Sequence, residues 1–222
     1  NSIQILCSDH GYPDPAKTES KPEFYKSRKL SHDLLLTDDN IMIPLFVKYP
    51  GCTAGRKVDV TIGSIDIAPT ILDILEMEPE LLNSAHGRSL MPLIRGDAGA
   101  ADVMRQRYQR CDSRFAMQTG KATAVRNDTH KYVFYHDDIR GRGNEEFFDL
   151  TADPDEETNL IESSKPEVVR DLAKFRREYR RLETQALEFQ LEYLFRKFSP
   201  KYRNILQAVD DVLVTDSCHP IF

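Results

Sequence analysis

The pair Asp9-His10 is the part of the sequence whose residue types could perform chemistry. An apolar segment, residues 3–6, leads towards the pair, and Gly11 follows it directly. A carboxylate and an imidazole at the end of a strand can act as two ligands of one divalent cation, and the glycine lets the backbone approach closely. Taken alone, such a turn is more often held by hydrogen bonds than by a metal, so its surroundings decide its meaning.

The residues around this pair predict one edge of an α/β sheet layer. Residues 3–6 indicate a buried strand, and a polar turn after such a strand is where active sites form in open α/β sheets. Residues 12–40 are polar and contain three prolines, which is typical of a functional loop, and we expect this loop to lie over the site. The mostly apolar run at residues 41–49 predicts a second strand, covered on both faces.

A helix is predicted after the second strand. Ser64 or Asp66 can cap its first turn, which also contains Pro69. Apolar residues then recur at helical spacing, namely Ile67, Ile71, Leu72 and Leu75. Strand, loop, strand and helix together assign residues 1–100 to an α/β layer.

A second unit is predicted over residues 112–222. The sequence between 96 and 112 is first small and polar and then rich in arginine, which places a boundary there. Residues 115–125, 131–135 and 147–150 have strand patterns separated by turn residues. These patterns predict a small antiparallel sheet.

A long amphipathic helix is the clearest element of this second unit. Ser164 and Glu167 have the spacing of a capping box around Pro166, so a helix should begin there. An apolar stripe follows at alternating spacings of three and four, formed by Leu172, Phe175, Tyr179, Leu182, Ala186 and Phe189. We expect the stripe to pack on the small sheet, and its near-heptad repeat also allows a contact between subunits.

The composition excludes several classes of protein. Hydrophobic residues make up 40% of the 222 residues and charged residues 30%, which is typical of a folded protein. The formal net charge is −6 and basic residues alternate with acidic ones, so nucleic acid is not an expected partner. The four cysteines contain no CxxC pair, which argues against a zinc ribbon and leaves disulfides open. No run approaches the roughly 18 apolar residues of a transmembrane segment.

The order of several separate segments resembles the sulfatase family, a branch of the alkaline phosphatase-like superfamily. The turn Ser8-Asp9-His10-Gly11 is similar to the family's Ser-Asp-His/Asn-Gly, and Ile43-Pro44-Leu45 followed by Pro50-Gly51 to its Val-Pro-Leu and Pro-Gly. Further segments continue the match in the same order: 66–72 (Asp-Ile-Xaa-Pro-Thr), 87–90 (Gly-Xaa-Ser-Leu), 146–150 (Leu-Tyr-Asp-Leu) and 153–160 (Asp-Pro-Xaa-Glu, then Asn-Leu).

The resemblance implies a metal site and a cation that contacts the sulfate. Asp9 and His10 would bind a divalent metal, usually calcium in sulfatases, with manganese, magnesium and zinc as alternatives and with further carboxylates from an upstream segment. The sulfate-contacting residue would be Lys29 by its spacing from Asp9, or His32 by counting back from the Val-Pro-Leu match, with Lys26 as a third choice. A Lys ammonium or a protonated His can offset charge on the transferring group or assist the leaving oxygen.

The family's nucleophile is a formylglycine made from Cys or Ser in Cys/Ser-Xaa-Pro/Ala-Xaa-Arg. Residues 52–56, which begin with Cys52, fit this loose pattern, but they follow Pro50-Gly51, where the family has a variable surface loop. We therefore interpret Cys52 as a coincidental match. Because the chain starts within a strand and without Met, we expect the nucleophile on an upstream segment that is absent from it.

The combined prediction is the C-terminal part of a two-domain α/β sulfatase: part of an alkaline phosphatase-like sheet layer, then a small antiparallel sheet with a long packed helix. The substrate would be a sulfated small molecule or glycan, and turnover would need the missing N-terminal half. Two alternatives remain open, a phosphonate or phosphate ester hydrolase of the same superfamily and a non-catalytic fragment that assembles through the long helix. Periplasmic, secreted or lysosomal locations are typical of the family.

Overall fold

A computed structural model of the chain describes six segments, and the side chains of the last one only as far as Leu191: residues 2–12, 36–52, 55–78, 87–113, 122–136 and 145–197. The chain divides into two compact units, Asn1–Glu178 and Tyr179–Phe222. All contacts described below lie within the first unit. The predicted boundary between residues 100 and 112 stays a prediction.

The turn Asp9-His10 follows the first strand of a two-stranded antiparallel sheet. Strand β1 (Gln4–Cys7) pairs with β2 (Leu45–Lys48), and Leu6 lies opposite Phe46. The prediction that both strands are buried is wrong for one face, because the side chains of Leu6 and Phe46 are 67% and 63% exposed. Alternate side chains of a strand point to opposite faces, and only the other face, with Ile5 and Val47, is half-buried.

A short helix precedes β2 and shortens the predicted strand. Helix α1 (Asp38–Ile41) includes the start of the apolar run that predicts a strand over 41–49. The Thr37 carbonyl accepts the N–H groups of both Asn40 and Ile41, at 2.9 and 3.0 Å. Pro44 lacks an N–H to donate to a partner strand, and the strand begins directly after it.

The helix predicted after β2 is confirmed and begins directly after Asp66, one of the two predicted caps, but the predicted side-chain capping is absent. A 3-10 turn, Ser64–Asp66, leads into α2 (Ile67–Ile74). Neither Ser64 nor Asp66 caps the helix with its side chain. The carboxylate of Asp66 instead accepts the N–H of Gly63 at 3.0 Å, three residues back along the chain.

Regular elements lie in and just before the region 96–112, which the sequence indicates as an irregular boundary. They are α3 (Met91–Arg95), α4 (Ala100–Arg105) and β3 (Gln109–Ser113). The helices are too short for a helical period to stand out, since each has fewer than two turns. Their apolar side chains nevertheless form a buried cluster of Leu90, Leu93 and Met104.

The predicted small antiparallel sheet is confirmed and gains β3 as an edge strand. Its order is β3, β4 (Ala122–Arg126), β5 (His130–Tyr135) and β6 (Glu145–Asp149), all antiparallel. Strand β4 starts at Ala122, and the earlier part of the strand predicted over 115–125 lies outside the described residues. Val125, Tyr132 and Phe147 are aligned across β4, β5 and β6 and are almost fully buried.

The long helix is confirmed as α5 (Pro166–Lys197), which begins at the predicted proline. Leu172 and Phe175 are 6% and 2% exposed. The Phe175 ring lies 5.3 Å from that of Phe147 and 5.0 Å from that of Tyr108, so the start of the apolar stripe packs on the small sheet as expected. None of the described helices combines the length and apolar character needed to cross a membrane.

Candidate functional site

The side chains of Asp9 and His10 converge at the end of β1. The Oδ2 atom of Asp9 lies 3.5 Å from Nε2 of His10. The other carboxylate oxygen, Oδ1, accepts the backbone N–H of His10 at 3.0 Å, and the Ser8 hydroxyl donates to the His10 carbonyl at 2.5 Å. These local hydrogen bonds hold the turn in a form that directs one oxygen and one nitrogen towards a common point.

The imidazole of His10 has a defined tautomer. Its Nδ1 lies 2.6 Å from the Gly11 carbonyl oxygen. A carbonyl oxygen can only accept, so Nδ1 must carry the proton. In the neutral ring, Nε2 then presents its lone pair on the side of Asp9, which is the arrangement that metal-binding histidines use.

Asp9 is ionised over the ordinary pH range. Hydrogen bonds from the backbone N–H of His10 and from its own backbone lower the pKa of Asp9, and the neighbouring imidazole adds to the effect. The side chain is 85% exposed. It is therefore a solvated carboxylate that an incoming cation can reach.

Gly11 fixes the turn against helix α1. Its N–H donates to the carbonyl of Asn40 at 2.7 Å. A Cβ atom at this position would lie 2.0 Å from the carbonyl oxygen of Asp39, so only glycine allows such a close approach. The helix that precedes β2 thus serves as the support of the Asp9-His10 turn.

A cleft of about 880 Å³ opens beside this turn. Asp9, His10 and Asn40 line one part of it, and β3 and β4 contribute Arg110, Asp112 and Arg126 among other residues. The arginines lie close to carboxylates, since Arg110 Nη2 is 3.0 Å from Asp112 and Arg126 Nη2 is 2.9 Å from Asp38. The volume and polar lining are suitable for a small polar ligand.

The remaining predictions for the site concern three basic residues and Cys52. Lys26, Lys29 and His32 lie outside the described residues, so their role as the sulfate-contacting group stays a prediction. Cys52 is described, and its N–H donates to the Tyr49 carbonyl at 3.0 Å in the turn after β2. No disulfide joins the three cysteines within the described segments, Cys7, Cys52 and Cys111.

The donor set fits a cation in part. Asp9 offers a hard carboxylate oxygen and His10 a nitrogen whose lone pair faces it, and both belong to the ligand types of divalent metals. Among the described residues, no group of three or more His, Cys, Asp or Glu side chains could hold a metal ion. Asp9 and His10 can therefore provide two ligands and would need others to complete a coordination sphere.

Most of the other segments that resemble the sulfatases have structural roles. Asp66 is fully buried, and its carboxylate accepts the N–H groups of Gly63 and Arg88, the latter at 2.8 Å. Arg107 Nη1 lies 3.0 Å from the same carboxylate. One side chain therefore joins α2, the segment before α3 and the segment before β3.

Thr70 and Gly87 complete this connection. The Thr70 hydroxyl donates to the Asp66 carbonyl at 2.6 Å and accepts the N–H of Leu90 at 2.8 Å. A Cβ atom on Gly87 would lie 2.0 Å from the carbonyl oxygen of Ile65. The residue types at these positions follow from packing and hydrogen bonding.

The segment after β6 is organised in the same way. Asn159 accepts the N–H groups of Phe147 and Ile161 at 3.0 and 3.1 Å. Asp153 accepts those of Glu157 and Thr158 at 3.1 and 2.8 Å. These side chains satisfy backbone donors in a loop that has few backbone partners.

Glu156 is bonded to Lys131, a contact that sequence reasoning misses. Lys131 lies on β5 and is 0% exposed, and its ammonium contacts Glu156 Oε1, Asp38 Oδ1 and the Leu36 carbonyl. A lysine within the apolar run of a predicted strand is the one signal of this cluster in the sequence, because a fully buried lysine needs partners.

The family model for the C-terminal domain of N-sulphoglucosamine sulphohydrolase matches residues 30–184. The match includes α1, β2, the four-stranded sheet and the first part of α5. The chain belongs to this family of sulfatase C-terminal domains, as its resemblance predicts.

Relatives of known sequence agree with this assignment. A sulfatase of Formosa agariphila is 30% identical over 167 residues, which are 74% of this chain and 27% of that protein. Arylsulfatase K of Gallus gallus is 30% identical over 181 residues, which are 79% of this chain and 30% of that protein. The chain thus spans less than a third of the length of these two relatives.

Solved structures share the fold. A protein determined in complex with its substrate, D-glucosamine-2-N,6-O-disulfate, superimposes with a TM-score of 0.59 and 20% identity, over 84% of this chain and 35% of that one. The phosphonate monoester hydrolase of Agrobacterium radiobacter gives a TM-score of 0.56 and 22% identity, over 84% and 35%. The fold class is therefore the mixed α/β fold of alkaline phosphatase-like sulfatases.

Proposed function

We propose that this chain forms the C-terminal region of a sulfuric ester hydrolase and contributes Asp9 and His10 to its divalent metal site. The observation that carries the proposal is the 3.5 Å separation of Asp9 Oδ2 and His10 Nε2 beside a cleft lined by both residues. Membership of a sulfatase family supports the reaction class.

The residues of the turn would perform distinct tasks. Asp9 would supply an ionised oxygen, because the hydrogen bonds of the turn keep its pKa low. His10 would supply Nε2, because its Nδ1 proton is held by the Gly11 carbonyl. A divalent cation bound there would act as a Lewis acid on an ester oxygen, and calcium is the ion that the family resemblance favours.

The remaining parts of the reaction lie beyond the described site. A formylglycine nucleophile is proposed to come from residues outside this sequence, which is supported by relatives more than three times as long as the matched region. Lys29 or His32, with Lys26 as the third choice, would stabilise charge on the sulfate. The proposed substrate is a sulfated small molecule or glycan, in line with the disulfated glucosamine bound by one protein of the same fold.

A phosphonate or phosphate ester hydrolase is the second candidate. It is favoured by the fold shared with a phosphonate monoester hydrolase, and a histidine next to the aspartate suits manganese or zinc as well as calcium. The two candidates differ in the ester that is cleaved, so a panel of aryl sulfate, aryl phosphate and phosphonate monoester substrates separates them.

The test of the metal site is Asp9→Asn in the complete polypeptide in which these residues occur. Loss of the ionised oxygen should lower kcat/KM for the preferred ester by about 100-fold or more and weaken Ca²⁺ or Mn²⁺ binding in calorimetry. The matched control is Asp97→Asn, which makes the same chemical change at an exposed residue after α3 and should leave both quantities unchanged. Wild-type activity and metal affinity in Asp9→Asn would contradict the proposal.

A further inference from the structure

Lys131 is the centre of a buried ion cluster. The cluster reaches from the four-stranded sheet to helix α1, which supports the Asp9-His10 turn. A lysine ammonium has three N–H donors and no acceptor. Its three partners here are the Leu36 carbonyl at 2.8 Å, Asp38 Oδ1 at 3.1 Å, and Glu156 Oε1. Every donor of the ammonium therefore has an acceptor, although the side chain is shielded from water.

The partners of Lys131 fix the first residue of α1. Asp38 donates its backbone N–H to Glu156 Oε1 at 2.9 Å. Its carboxylate contacts Lys131 and also accepts from Arg126, whose Nε lies 3.1 Å from both carboxylate oxygens. The main chain and the side chain of Asp38 are thus held by charges from β4, β5 and the loop after β6.

Helix α1 connects the fixed position of Asp38 to the Asp9-His10 turn. It has four residues, Asp38–Ile41, so fixing its first residue also fixes Asn40 within one turn. The Asn40 carbonyl accepts the N–H of Gly11 at 2.7 Å, and the Asp39 carbonyl leaves no space for a larger residue there. The Gly11 carbonyl in turn accepts from Nδ1 of His10, so that in the neutral ring Nδ1 carries the proton.

We infer that Lys131 and Glu156 are positioning residues for the Asp9-His10 turn. The four charges of the cluster, on Asp38, Glu156, Arg126 and Lys131, sum to zero, so the low-dielectric site holds no uncompensated charge. Glu156 has a backbone φ of 57°, a conformation that costs a non-glycine residue energy and persists where the surroundings impose it. The relevance of the inference to catalysis rests on the proposed function. The contacts that run from the cluster through α1 to the turn do not depend on that function.

Hydrogen exchange of the Gly11 amide measures this connection without metal or turnover. In Lys131→Met, α1 should loosen and exchange at Gly11 should accelerate by about tenfold or more. The buried Leu90 amide, which donates to Thr70 Oγ1, should keep its wild-type rate and serves as the reference for global opening. Lys165→Met makes the same substitution at an exposed position of the chain and should change neither rate.

Glu156→Gln is the second variant if Lys131→Met does not fold. It keeps the size and one acceptor oxygen but removes the charge beside Lys131, and it should accelerate Gly11 exchange in the same direction. Equal acceleration at Gly11 and Leu90, or no acceleration at Gly11, would overturn the inference and leave the cluster a merely structural one.

A metal titration separates this inference from the proposed function. If Asp9 and His10 bind Mn²⁺ in the complete polypeptide, the cluster variants should weaken that binding by about 10- to 100-fold, the usual effect of groups that orient ligands. If Asp9→Asn has no effect on Mn²⁺ binding while Gly11 exchange responds to Lys131, the metal proposal fails and the positioning of the turn stands.

Discussion

At the scale of single residues, the space around a glycine shows whether the fold could accept a larger side chain there. Gly11 and Gly87 each lie against a backbone carbonyl, 2.0 Å from where a Cβ atom would be, whereas Gly55 has no heavy atom within 4 Å among the described residues. The distance from an added Cβ atom to its neighbours therefore distinguishes Gly11 and Gly87, which the fold needs, from Gly55, which it does not. This difference can be tested because the chain offers a matched pair.

We predict that Gly87→Ala destabilises the protein and Gly55→Ala does not. The added methyl group at residue 87 would overlap the Ile65 carbonyl, and forced overpacking of this kind costs about 1–3 kcal/mol. Alanine at residue 55 should change the free energy of unfolding by less than about 1 kcal/mol, with a gain if the backbone accepts it. Urea unfolding measures both, and equal stability of the two variants would show that residues 65 and 87 are not packed as described.

The elements of the chain differ in how far sequence alone predicts them. Helix α5 has a capping signal and a repeated apolar stripe, so its start at Pro166 follows from the sequence. Helices α3 and α4 contain five and six residues, and no period can be recognised over so short a length. The exposure of Leu6 and Phe46 also could not be predicted, because an apolar alternation shows which residues share a face but not what packs on it.

Two leucines of α5, one in the apolar stripe and one outside it, should contribute unequally to stability. Leu172 is 6% exposed and Leu187, on the same helix, is 50% exposed. Leu172→Ala should therefore lower the free energy of unfolding by about 2–5 kcal/mol, the range for a buried leucine that leaves a cavity. The same change at Leu187 should cost less than about 1 kcal/mol.

Chemical denaturation with two probes would check the prediction for α5. Far-ultraviolet circular dichroism follows the secondary structure and tyrosine fluorescence the surroundings of the tyrosines, and both should report the same loss in Leu172→Ala. A comparable loss in Leu187→Ala would contradict the exposure of this side chain.

At the scale of the whole first unit, charges that are distant in sequence connect helix α1 to the four-stranded sheet. Asp38 lies 88 residues from Arg126 and 93 from Lys131. No local pattern brings these residues together, so the sequence indicates the cluster only through the lysine of the predicted strand and the place of Glu156 in the resemblance to sulfatases. The turn Asp9-His10 could be predicted because its residues are adjacent, while its support by α1 could not.

Asp38 contributes to stability with a defined pH dependence, whereas burial raises the pKa of Glu156 in the same cluster and gives that residue the opposite dependence. Burial raises the pKa of Asp38, but hydrogen bonds and charges from Arg126 and Lys131 outweigh it and lower the pKa below the ordinary value of 3.8. The unfolded chain then binds more protons than the folded chain in this range, so the contribution of Asp38 is complete above about pH 3.8 and is lost as pH falls through the lowered pKa.

We predict that Asp38→Asn removes part of this acid sensitivity. At neutral pH the variant should be less stable by about 3 kcal/mol, because two buried cations lose a charged partner. The difference from wild type should shrink as pH falls below about 3.8, since the wild-type carboxylate is then protonated as well. Urea titrations between pH 3 and 7 measure the difference, and Asp97→Asn, at an exposed residue, should show no such trend; a constant gap would contradict the pKa shift.

The buried carboxylate of Asp66 shows that sequence signatures of this family include residues with a structural role. It ties three chain segments together without contact to any reacting group, and Asn159 and Gly87 act in the same manner elsewhere. Natural selection for a stable scaffold would preserve these signatures even in a descendant that had ceased to cleave esters. If Asp9 and His10 bind the metal as proposed, a homologue that retains these structural residues but lacks that carboxylate or imidazole would be a candidate pseudoenzyme.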